Sequence, residues 1–183
     1  LFPIESFVMT KQSFQITSKV CKSEEDCADL VIQQRSVASG VIIKTDTKNS
    51  YILTAGHACV PSPPKDVALA GPAYLKYDIE VKTGFGRESK AEVVAVDPVN
   101  DLCLLESPDY LGPGLIIQEK QTALHEKVYN MAGPHGLAAS LAVPVFDGYY
   151  IGTVADKMLF TIPASPGSSG SPVMNKDGEI ITI

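Results

Sequence analysis

Basic residues are scarce in this chain and scattered where they occur. Its 15 Lys and Arg stand against 21 Asp and Glu, for a formal charge of −6. Nucleic acid is recognised through clustered positive surface, so it is not an expected partner. No stretch approaches the roughly 18–20 uninterrupted apolar residues of a membrane helix, because charged, Pro or Gly positions break every apolar run. A membrane is not an expected partner either. Low-complexity tracts are lacking too, and 45% apolar with 20% charged residues excludes a disordered chain. What remains, at 183 residues, is one ordinary globular domain or two small lobes sharing one function.

Helical periodicity is almost absent, and short β-like runs take its place. Runs rich in Val, Ile, Tyr and Phe span 14–20, 37–43, 51–54, 79–83, 91–96, 102–105, 128–131, 149–154, 158–162 and 179–183. One helix is expected, over 24–33, where Ser23 would cap an acidic first turn. Asp147-Gly148 and Asp177-Gly178 separate β-like runs and are expected to close hairpins. Strands at this spacing without amphipathic helices make an all-β sandwich or barrel. The Pro- and Gly-punctuated stretch 107–114 reads as a linker. The expected organisation is an extension over 1–35, a first β unit over 36–106, the linker, and a second β unit over 115–183.

Three segments each end an apolar run on one reactive side chain. Tyr51-Ile-Leu-Thr-Ala-Gly delivers His57; Asp101 opens the run Leu102-Cys-Leu-Leu105 and should be tucked in by it; Pro166-Gly-Ser-Ser-Gly-Ser171 is a glycine-bounded turn with Ser169 at its apex. A serine hydroxyl is a weak nucleophile at neutral pH and needs an imidazole to take its proton. A carboxylate must then hold the imidazole's other nitrogen and stabilise the imidazolium. Glycines beside the serine let backbone N–H groups, here those of Gly167 and Ser169, face a developing oxyanion. Asp97, the competing carboxylate, precedes Pro98 and suits a turn, while His125 and His135 read as surface or turn residues. Ser165, Ser168 and Ser171 read as turn caps, since only Ser169 sits in the G-x-S-G frame.

The segments LTAGHA, NDLCLL and PGSSGSPV, in that order, resemble the signature blocks of the chymotrypsin/trypsin-like serine proteases. The likeness is strongest to the bacterial and viral branches that include glutamyl endopeptidases and high-temperature-requirement proteases, and covers about 37–183. Chain order His-Asp-Ser also matches that family and differs from the subtilisin and α/β-hydrolase orders. The resemblance implies two antiparallel β-barrels of six strands each and a serine endopeptidase acting on polypeptides through an acyl-enzyme, with His57, Asp101 and Ser169 as its triad. It implies no metal or organic cofactor. Two positions depart from the family pattern, Ser168 for a common aspartate and Ser171 for a common glycine; neither removes a catalytic group. The segment Ile162, Pro163, Ala164, Ser165 would supply part of the substrate pocket, and its lack of acidic residues disfavours Lys or Arg as the residue bound there.

Four cysteines permit three pairings. Cys21 and Cys27 could close a local disulfide; Cys59 and Cys103 follow His57 and Asp101 by two residues, so a fold that assembles the triad brings them near each other, and geometry decides between a bond and two buried thiols. A zinc site from Cys59, Cys103 and His57 would consume the base and lacks metal-type spacing. Disulfides would favour an extracellular, periplasmic or virion setting. The competing reading is a protease fold that is catalytically silent or latent and serves as a binding protein, with residues 1–35 docking a partner or covering the cleft. The second unit offers fewer strands than a six-stranded barrel needs, so its final strands are expected to be missing from this chain.

Overall fold

The computed structural model describes residues 3–21, 27–60 and 74–183, with the side chains of residues 20, 21, 27, 74 and 75 outside that description. Its strands are β1 (Phe7–Cys21), β2 (Cys27–Thr45), β3 (Ser50–Ala55), β4 (Tyr74–Thr83), β5 (Glu88–Asp97), β6 (Leu102–Ser107), β7 (Lys127–Met131), β8 (Val145–Val154), β9 (Lys157–Phe160), β10 (Val173–Met174) and β11 (Ile180–Thr182). The regular helices are a single turn, α1 (Gly56–Cys59), and a 3-10 turn over Pro134–Gly136. The protein is thus all-β: strands β1-β2-β3-β6-β5-β4 close into a barrel, and β11-β10-β7-β8-β9 form a five-stranded sheet that does not close.

Of residues 24–33, expected as helix, 24–26 lie outside the described residues and 27–33 lie in β2. Each residue of β1 finds a partner in β2, from Phe7 opposite Val41 to Cys21 opposite Cys27. That ladder overrides the local helical preference, which is a weak prior against tertiary pairing. The first 35 residues therefore hold a barrel strand and the start of a second. The Cys21–Cys27 pairing concerns side chains outside the described residues.

Asp147-Gly148 lies inside β8, not at its end: Asp147 pairs with Tyr129 and Gly148 with Val128. The glycine is needed for a close approach, since a Cβ there would come within 2.8 Å of Thr161 Oγ1 and 2.9 Å of Ile162 Cγ1. The hairpin after β8 turns instead at Ala155 and Asp156, both at positive φ. Asp177-Gly178 does close its hairpin, with Gly178 at φ +82° and Asn175 Oδ1 accepting from the Asp177 and Glu179 amides.

Strand alternation in β1 explains how the two sheets join. Val8 points into the barrel core with Ile42, Ile52, Ile79, Val81 and Leu105, while its neighbours Phe7 and Met9 point the other way and pack with Met131 and Met174 of the second sheet. Side chains two apart share a face, so one strand serves both cores. Phe7 and Val8 are fully buried, each worth about 1.5–3 kcal/mol of transfer free energy.

Candidate active site

His57 reaches its position because β3 runs straight into α1 at Gly56. The Gly56 amide donates to Asp101 O at 2.7 Å, and a Cβ on Gly56 would lie 3.0 Å from the Asp101 carbonyl carbon. A side chain at Gly56 would crowd the β5–β6 turn and push it outward by a few tenths of an ångström. Asp101 sits at the end of that turn at φ +56° and gives both carboxylate oxygens to His57: Oδ1 accepts the His57 amide at 2.7 Å, and Oδ2 lies 2.8 Å from Nδ1. One residue's backbone and ring thus hold the carboxylate in a fixed plane. Asp97 has a different task, accepting from the Val99 and Asn100 amides and the Asn100 side chain, and so shaping the turn.

Asp101 differs from the sequence expectation in one respect. Its side chain is 56% exposed and that of His57 58%, because Asp101 belongs to the turn preceding β6 and not to the strand itself. Partial burial pushes the carboxyl's pKa up; the hydrogen bonds from the His57 ring and amide, with the charges of His57 and Lys157, outweigh this and hold it below the ordinary value of 3.8. Solvent screens an exposed pair, so the arrangement orients more than it stabilises.

Ser169 lies on the loop between β9 and β10, in a tight double turn: the Ser168 amide donates to Ser165 O at 2.9 Å and the Ser171 amide to Ser168 O at 3.0 Å. Gly167 and Gly170 flank it at φ +94° and +79°, where a side chain is strained. Gly170 also lies so close to Ser39 O and Thr54 Oγ1 of the barrel that any side chain would collide with them. Among the described residues, neither the Gly167 nor the Ser169 amide donates a hydrogen bond, and none reaches the Ser169 hydroxyl. His57, Asp101 and Ser169 line one open cleft of about 760 Å³, together with Ile162, Pro163, Ala164, Ser165 and Pro166. His125 and His135 are not among its lining residues.

Residues 38–183 match the trypsin-like peptidase domain family. The chain belongs to that family. A probable periplasmic DegP-like serine endoprotease of Halomonas elongata is 27% identical over 158 residues, a span covering 82% of this chain and 29% of the relative. The chain therefore spans less than a third of that relative's length.

In this trypsin-like peptidase domain the Cys59–Cys103 disulfide joins α1 to β6 with Cα atoms 6.4 Å apart, directly behind His57 and Asp101. Among the described residues, no group of three metal-binding side chains is gathered at one place. Three contributors escaped sequence reasoning. Asn130 of β7, 5% exposed, donates to Ser171 Oγ at 2.7 Å and Pro172 O at 3.0 Å, anchoring the loop from the second sheet. Ser39 of β2 anchors it from the barrel, its amide donating to Ser169 O at 2.8 Å. Met158, Leu159 and Phe160 of β9 add an apolar wall to the cleft. Ser39 stands in the segment Ala38-Ser-Gly-Val-Ile-Ile43, legible as a strand; nothing in its spacing marks it as a contact of a loop so distant in the chain.

Proposed function

We propose that this protein is a serine endopeptidase, with Ser169 as nucleophile, His57 as general base and then acid, Asp101 as its orienter, and the Gly167 and Ser169 amides as oxyanion donors. The observation that carries the reading is one cleft lined both by a histidine whose Nδ1 is held by a carboxylate and by a serine on a loop with two amides that donate to none of the described residues. With Nδ1 bound to Asp101, Nε2 is the ring nitrogen left to take the serine proton as Ser169 Oγ attacks the peptide carbonyl. The C–O double bond becomes an oxyanion facing the two amides. His57 then returns the proton to the leaving amine as the C–N bond breaks, leaving an acyl-Ser169 ester. Water, deprotonated by His57, attacks that ester; as the C–Oγ bond breaks, His57 returns the proton to Ser169 Oγ, releasing the acid and the free serine. Among the described residues the Ser169 hydroxyl has no hydrogen-bond partner, in keeping with catalytic contacts that tighten only in the complex.

The substrate is polypeptide. Ile162, Pro163, Ala164 and Ser165 would line its pocket, where the absence of an acidic side chain disfavours Lys and Arg. The disulfide, together with the periplasmic relative, supports an oxidising compartment. None of the described residues before Ala55 lines the cleft, so the extreme N-terminal strand offers no support for a latent form closed by residues 1–35.

A tagged fluorophosphonate tests the assignment. It should label the native chain, and Ser169→Ala should abolish labelling and lower casein hydrolysis by at least about 10³-fold while leaving the far-ultraviolet circular dichroism spectrum unchanged. A folded native chain that takes no label would favour a silent binding protein, and undiminished labelling of the alanine variant would move the nucleophile elsewhere.

A further inference from the structure

The loop carrying Ser169 is held from behind through its carbonyl groups, and one buried side chain sits at the centre of that support. A trans peptide unit is planar, with its C=O and N–H pointing in opposite directions, so anchoring the first aims the second. Pro166 O accepts from the His135 amide at 2.6 Å, and Ser168 O from the Ser171 amide at 3.0 Å. These are the carbonyls of the two peptide units that carry the Gly167 and Ser169 N–H groups.

Between them lies Gly167, whose positive φ is a region that a glycine enters and leaves at little cost. A hole built around so permissive a residue needs an external brace. Ser39 is placed to provide it. Fully buried, it donates its hydroxyl to Gly167 O at 2.8 Å and accepts the Gly133 amide on the same oxygen at 2.9 Å. Its amide donates to Ser169 O at 2.8 Å, and its carbonyl accepts Thr54 Oγ1 at 2.7 Å. Donor and acceptor capacity of the hydroxyl are both in use. One residue of β2 therefore ties together β3, the turn after β7 and the nucleophile loop, without itself lining the cleft.

We propose that Ser39 is a positioning residue for the oxyanion hole: its hydroxyl, bridging Gly167 O and Gly133 N, keeps the Gly167 and Ser169 amides aimed at the oxygen on which charge develops. The inference rests on the serine-endopeptidase reading. Donors fixed in advance stabilise that charge without reorganising as it forms, and this is where an enzyme of this kind gains most. Removing the hydroxyl leaves the Ser39 amide on Ser169 O in place but strands Gly167 O and Gly133 N, both at buried glycines. Water cannot readily replace the lost partner there, so the Gly167–Ser168 peptide, which joins the two units that carry the oxyanion donors, is freed to rotate and to carry them with it.

Ser39→Ala and Ser39→Cys test this in the full chain, with a rhodamine fluorophosphonate as the covalent probe and fluorescent casein as the turned-over protein. The inactivation rate constant and kcat should fall about 10- to 100-fold in the alanine variant, with KI and KM held within about twofold. The cysteine variant should fall between alanine and native, because a thiol is a weak donor of nearly the same shape. Native rates in either variant, or a raised KI with an unchanged inactivation rate, would overturn the proposal. If the alanine variant does not fold, the cysteine variant decides on the same criteria, with thermal unfolding confirming its native state. A native chain that takes no label defeats the endopeptidase reading, which is a separate result from a native chain whose labelling is indifferent to Ser39.

Discussion

Asp101 adopts a left-handed backbone conformation that a non-glycine residue takes only at some cost, and it spends both carboxylate oxygens on one partner, His57. A carboxyl whose folded pKa lies below its unfolded value stabilises the fold above the unfolded value, and that contribution is lost as pH falls through the folded one. For Asp101 the loss begins below the ordinary value of 3.8. In urea titrations the stability advantage of the native chain over Asp101→Asn should thus shrink as the solution is acidified below about pH 4; an advantage undiminished by that acidification would contradict the assignment. At pH 7 the same variant should lower kcat on the order of 10⁴-fold, since an amide no longer fixes the imidazole tautomer. Exposure of the pair does not weaken this expectation, because the loss concerns orientation and not ion-pair strength.

At the scale of elements, one turn departed from what its residues suggested. Asp147-Gly148 has the composition of a hairpin turn, yet its glycine serves the close passage of Thr161 and Ile162 across β8. The real β8–β9 turn uses Ala155 at φ +48° and Asp156 at φ +63°, and Ala is a poor residue for that region. Composition could not reveal it, because the register of β8 against both β7 and β9 fixes where the chain must reverse. Ala155→Gly should relieve the strain and raise stability by about 0.5–1 kcal/mol in chemical denaturation, after allowing for the added freedom of the unfolded chain. A loss of stability would show that the turn is not under strain. The helix expected over 24–33 gives way to strand across its described part, 27–33, for a related reason: helical preference there is a local signal, and pairing with the fifteen-residue strand β1 outweighs it.

Across the whole molecule, the two sheets share both a core and a site. Phe7 and Met9 carry the first barrel's opening strand into the core of the second sheet, while Ser39 of the barrel, itself bonded by Thr54, holds the loop that bears Ser169. Coupling of this kind should make unfolding one cooperative event. Phe7→Ala, at a fully buried position, should cost about 3–5 kcal/mol and lower a single transition on which tyrosine fluorescence and far-ultraviolet circular dichroism coincide. Two separated transitions, with only the later one unchanged by the substitution, would mean that the sheets fold independently.

The sequence by itself determined the all-β class, most strands, and the short blocks around His57, Asp101 and Ser169, because each depends on neighbours close in the chain: alternation along a strand, glycine beside a reactive residue, an apolar run behind a carboxylate. Tertiary structure alone decided that β1 belongs to the barrel, that Asp101 lies at a half-exposed turn and not inside the core, and that Ser39 and Asn130 brace the loop that bears Ser169. These features join residues far apart in sequence, where hydrogen-bond geometry and close packing exist only after the sheets have come together.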